Sequence, residues 1–181
     1  MNLTHFSNQV HFAFNIWDYE SARAVIDAAA ALNQDVILQT STGIYKKLPA
    51  KPFSNFVKEY ADFKGIHAWL NIDHCKEKDT LFYAIENGWD MVMADGSSMG
   101  IEDNIRFTNE ITTYAHAHSV LVEAKVGQVK GIEDDIAVQQ DAIASKKDIA
   151  YFWMQLMLII LRWLLETPMV NIKLYQISIM I

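Results

Sequence analysis

Short apolar runs alternate along most of this chain with longer stretches whose apolar residues recur at helical spacing. The runs 10–14, 36–40, 67–72, 91–94 and 120–122 are mostly continuous in apolar character. That is the pattern of parallel strands buried on both faces. Helices are predicted between them. Asp18 is placed to cap one that runs through 21–32. Pro52 sits near the start of the next, and Gly65 stops it. A third, over 76–87, puts Leu81, Phe82 and Ile85 on one face and ends at Asn87-Gly88. A long amphipathic helix is expected over 102–118. Residues 127–140, with Gly131 and the acidic run Glu133-Asp134-Asp135, read as a loop, and 141–152 as helical.

Five strand–helix units follow one another in this reading. Every strand closes on polar residues: Asn15, Ser41, Asp73 with His74, Asp95 with Ser97, and Glu123. Polar residues gathered at the C-terminal end of each strand point to a (β/α)8 TIM-type barrel rather than an open sheet. Such a barrel takes about 250 residues. The expectation is therefore an incomplete α/β barrel of about five units over 1–152, with a separate tail over 153–181.

That tail departs from the pattern. From Trp153 to Trp163 it shows neither strand alternation nor a clean helical face. Its apolar run over 153–165 contains Arg162 and falls short of the roughly 20 residues of a membrane span. No membrane association is expected.

Composition narrows the function. The chain has 181 residues, 51% hydrophobic and 20% charged, which suits a globular domain with a core. Its net charge of −7 and lack of a basic patch argue against nucleic acid as a partner. Cys75 is the single cysteine, so no internal disulfide forms, and a reducing, cytoplasmic setting is expected. Residues 1–9 show no secretion pattern. An Asp-His dipeptide is common by chance, and an acidic run is usually a solvated loop. Asp73 and His74 draw interest because they stand where an apolar strand ends. His116 and His118 lie two apart on a helix and share no face.

The residues Leu70-Asn71-Ile72-Asp73-His74-Cys75 and Val122-Glu123-Ala124-Lys125-Val126-Gly127, the latter followed by Gly131 and Glu133, carry a family resemblance. Phe12 to Asn15, Ile37 to Ser41 and Met93 to Ser97 add to it. The chain resembles the class II, zinc-dependent ketose-bisphosphate aldolases. The resemblance implies a lyase of carbohydrate metabolism that cleaves a ketose 1,6-bisphosphate, with fructose and tagatose substrates both open. It implies that His74 is a zinc ligand and that Asp95 contacts the metal or its second site. It implies Asp73 as the acid–base residue at the aldehyde-derived hydroxyl and Glu133 as the proton-abstracting glutamate. It assigns Asn15 and Ser41 to hydrogen bonds with the phosphorylated sugar. It also implies a homo-oligomer in the intact family.

Two positions depart from the family. His usually stands where Asn71 is, and Glu where Lys125 is, so a second cation site should be weakened. The family's Gly-x-x-His-Gly loop and a later histidine, which supply further zinc ligands, have no counterpart in the tail. Codon arithmetic offers a reason. Read one base earlier, Glu166-Thr167-Pro168-Met169-Val170 can encode Gly-Asn-Ala-His-Gly. The expectation is that a one-base shift after Phe152 replaced the native end. The alternative function is a catalytically inactive aldolase fragment that only self-associates.

Overall fold

A computed structural model describes residues 11–128, 131–133, 136–138 and 143–166; side chains are described outside 131–138 and 157–166. Five strands form one parallel sheet: β1 (Phe12–Asn15), β2 (Val36–Ser41), β3 (Ala68–Cys75), β4 (Met91–Ala94) and β5 (Leu121–Ala124). Their spatial order is also their chain order. Doubly wound sheets reverse direction at a switch point, whereas barrels add each strand beside the last. The order is thus that of a barrel wall, with only part of the circle present.

The helices that link the strands cover one face of this wall. α1 (Tyr19–Ala31) starts from a capping box in which the Asp18 carboxylate accepts from the Ser21 amide at 2.8 Å. α3 (Ala50–Lys64) ends at Gly65, whose φ of 77° suits a residue without a Cβ. α4 (Lys78–Glu86) and α5 (Ile101–Ala117) follow. Val36 and Leu38 on β2, Leu70 and Ile72 on β3, and Val92 on β4 point to these helices. There they meet Ile26, Phe53, Leu81, Trp89 and Ile111 in one buried cluster. Alternation along each strand sends the intervening residues to the other face. Gln39, Asn71, Asp73, Met93, Asp95 and Glu123 fall in that second set.

The structure corrects several boundaries. β3 was expected to close at Ile72, but it runs on through Asp73, His74 and Cys75 because both neighbouring strands pair with that stretch. The turn read at Ser41 and Gly43 holds a short helix, α2 (Thr42–Tyr45), capped by the Ser41 hydroxyl, which accepts from the Ile44 amide at 3.4 Å. The expected loop over 127–140 contains an antiparallel hairpin, β6 (Gly131–Glu133) with β7 (Ile136–Val138). The expected helix over 141–152 is α6 (Lys146–Glu166), which continues through Phe152 without a break. Phe152 and Leu156, one helical turn apart, are buried against Ile105 of α5 and Ala124 of β5. Among the described residues no helix is long and apolar enough to cross a membrane.

Replacing Leu70, which is fully buried, with Ala is expected to destabilise the fold by about 2–5 kcal/mol. Phe63→Ala, at a side chain 80% exposed, is expected to change stability by less than about 0.5 kcal/mol. Urea unfolding followed by circular dichroism checks both. Similar losses at the two positions would contradict the placement of the core.

Candidate active site

The C-terminal ends of β3, β4 and β5 bring ionisable side chains together. One irregularity makes this possible. β3 and β4 pair in register at Ile72↔Val92 and again at Cys75↔Ala94, so β3 carries one extra residue between these points. His74 absorbs it with a left-handed φ of 50°. That conformation costs a residue with a Cβ roughly 1–2 kcal/mol, and such strain collects at functional sites. The bulge turns His74 toward the same face as Asp73, where strict alternation would have separated them.

His74 Nδ1 lies 3.0 Å from Asp95 Oδ2. Its Nε2 is 3.8 Å from Asp73 Oδ1. Asp95 is buried, and its other oxygen accepts from the Ser97 amide at 3.0 Å and hydroxyl at 2.5 Å. Burial alone would push the Asp95 carboxyl up, but the bonds from His74 and Ser97, with the Lys125 charge, hold it well below the usual carboxylate range. An ionised Asp95 accepts the Nδ1 proton, which puts the lone pair of a neutral imidazole on Nε2. Asp73 is steadied by Gln39, whose Nε2 donates to Oδ2 at 3.1 Å.

Glu123, on β5, completes the acidic edge. Burial, reinforced by the negative charge of Asp73, pushes its carboxyl up to about 7, against the smaller opposing effects of His74 and Asn71. Lys125 stands two residues further along, its ammonium 3.9 Å from Asp95 Oδ2.

The sequence-predicted residues thus divide. Asp73, His74 and Asp95 form one cluster. Ser41 is the register partner of Asp73 on β2, and Asn15 is the partner of Gln39 on β1. Both share the C-terminal edge, although Ser41 also caps α2. Glu133 lies on β6, and its side chain falls outside the described residues. Gln39 was missed by the sequence reading, although its spacing two residues before Ser41 places both on one face of β2. Asn104, also missed, is buried in α5 and donates to the Lys125 carbonyl at 2.8 Å. Cys75 is buried, and burial pushes its thiol up, which suits packing rather than nucleophilic attack.

A catalytic zinc ion takes three protein ligands and leaves a position for substrate. Among the described residues no group of three His, Cys, Asp or Glu side chains is arranged to hold a metal ion. The Asp95 oxygens are committed to His74 and Ser97, and a lysine stands beside them. The described residues do not amount to a zinc site.

Known proteins show the same fold and sequence pattern. The profile of the family described as "Fructose-bisphosphate aldolase class-II" matches residues 7–161. The chain belongs to that family. It is 30% identical over 147 residues to the fructose-bisphosphate aldolase of Treponema pallidum (strain Nichols), covering 77% of this chain and 44% of that protein. It is 31% identical over 144 residues to that of Thermus caldophilus, covering 79% and 47%. Among solved structures, the YdjI aldolase of Escherichia coli K12 superposes with a TM-score of 0.67 at 24% identity, over 82% of this chain and 52% of that one. The fructose-bisphosphate aldolase of Campylobacter jejuni superposes with a TM-score of 0.67 at 23% identity, over 83% and 49%. The chain spans about half the length of the relatives it matches.

The raised Glu123 carboxyl has a consequence for stability. Its contribution is fully present below its ordinary value of 4.5 and is lost as pH rises through about 7. Asp95 acts in the opposite sense, contributing above its ordinary value of 3.8 and losing that contribution as pH falls below it. The thermal midpoint is therefore expected to decline between about pH 5 and about pH 8, and Glu123→Gln is expected to flatten the decline. A slope unchanged in Glu123→Gln, measured by scanning calorimetry, would contradict the assignment.

Proposed function

We propose that the Asp73–His74–Asp95 cluster serves reversible aldol cleavage of a ketose 1,6-bisphosphate, giving dihydroxyacetone phosphate and glyceraldehyde 3-phosphate. The observation that supports it most is the meeting of these three side chains at the C-terminal edge of a barrel wall, where such folds place their chemistry. Asp73, held by Gln39, takes the proton from the C4 hydroxyl of the substrate as the C3–C4 bond breaks. The bonding pair goes to C3, giving an enediolate, and the C4 fragment leaves as the aldehyde. Glu133 returns a proton to C3, and in the synthetic direction removes it. Asn15 and Ser41 hydrogen-bond the phosphorylated sugar. His74, oriented by Asp95, would contribute one ligand to the zinc that the family resemblance implies. The remaining ligands are not supplied by the described residues. A cytoplasmic location and a homo-oligomer belong to the same reading.

A second reading is favoured by the shortfall in metal ligands among the described residues. On it, this chain is a catalytically inactive aldolase fragment that only self-associates. The two are reconciled if a one-base shift after Phe152 replaced the native continuation. The chain as it stands is then expected to show no measurable cleavage of fructose or tagatose 1,6-bisphosphate and no tight zinc binding. A protein with the frame restored after Phe152 is expected to cleave one of them. In that protein Asp73→Ala should lower kcat by about 10²–10⁴-fold while leaving zinc affinity in place. Equal loss of metal and turnover would refute the acid–base role of Asp73. Absence of cleavage by the restored protein would refute the function.

A further inference from the structure

Lys125 occupies a built position. It follows Ala124, the register partner of Ala94, just as Asp95 follows Ala94 on the neighbouring strand. The two side chains therefore stand opposite each other at the strand ends. The Lys125 side chain is 14% exposed and that of Asp95 4%. The backbone of Lys125 is pinned to α5 by the Asn104 amide. Asn104 is in turn held by the Thr108 hydroxyl, which donates to its Oδ1 at 3.2 Å. Gly96 leaves room for this contact, because a Cβ there would stand 2.1 Å from Asn104 Oδ1. Lysine's place beside Asp95 is thus fixed by its backbone and does not depend on a flexible stem alone.

The charges around it explain what it does there. Asp73, Asp95 and Glu123 bring three carboxyl groups to one edge. Carboxylates beside an imidazole are donor types that divalent cations take, although among the described residues no three of them are arranged to hold one. The Asp95 oxygens are instead taken by His74, the Ser97 amide and the Ser97 hydroxyl, and one of them faces the Lys125 ammonium. A metal ion reaching Asp95 would have to displace bonds already made and sit against a fixed positive charge.

We propose that Lys125 is the resident cation of this cluster: its ammonium balances Asp95 and keeps divalent metal ions off the carboxylates at the edge of the sheet. This role of Lys125 in the charge balance of the chain is independent of the aldol reaction. Cobalt(II) tests it, because its visible absorption reports both binding and coordination. The full chain is expected to show weak cobalt binding. Lys125→Glu, which exchanges the cation for a carboxylate, is expected to tighten it by about tenfold or more. Lys125→Met, which keeps the length of the stem and removes the charge, is expected to give a smaller gain. Adding Asp95→Asn to Lys125→Glu should abolish the gain, which locates it at this cluster. Circular dichroism identifies variants that fold. Cobalt held as tightly by the unaltered chain as by both variants would overturn the proposal, and so would a gain that survives Asp95→Asn.

Discussion

The contact between His74 and Asp95 is the constraint on which the site depends. It joins the ends of two neighbouring parallel strands and needs an imidazole turned out of the regular alternation of β3. The bulge between Ile72 and Cys75 supplies that turn, and the left-handed backbone of His74 is its cost. The strand resumes at once, since the Asp95 amide donates to the Cys75 carbonyl at 3.0 Å. The deviation is thus confined to one residue, and the paired strands on either side hold it. Asp95 then fixes the ring, and the ring brings Nε2 within 3.8 Å of Asp73.

Charge balance is the second constraint. Burying carboxyl groups near one another raises the cost of ionising each. The edge meets this cost unevenly. Asp95 stays ionised because His74, Ser97 and Lys125 compensate it. Glu123 has less compensation and keeps its proton to about neutral pH. Two carboxyl groups a strand apart are thereby driven in opposite directions, so one sheet edge holds both a fixed anion and a group that exchanges a proton near pH 7.

Much of this was legible in the sequence, and the omissions have physical causes. The five strands were readable because their apolar runs leave a continuous signal, even though β1 is exposed along its length rather than buried on both faces. Their polar endings marked the edge at which Asp73, His74 and Asp95 meet. The extent of β3 was not readable, because Asp73-His74 looks like the start of a turn until the neighbouring strands are seen to pair with it. A helix as short as α2 completes barely one turn and shows no periodicity. The strands of the β6–β7 hairpin are too short to show alternation. The role of Gln39 needed a partner 34 positions away, and that of Asn104 a partner 21 positions away. The apolar stretch after Phe152 lacked a clean face in sequence, yet Phe152 and Leu156 pack the start of it on α5 and β5.

The tautomer of His74 is the most direct test of the account. Long-range proton–nitrogen NMR on imidazole-labelled protein distinguishes the two ring nitrogens. The geometry predicts that neutral His74 carries its proton on Nδ1, facing Asp95, and that Asp95→Asn shifts the population away from that tautomer. A proton found on Nε2 in the unaltered protein, or a tautomer indifferent to Asp95→Asn, would contradict it.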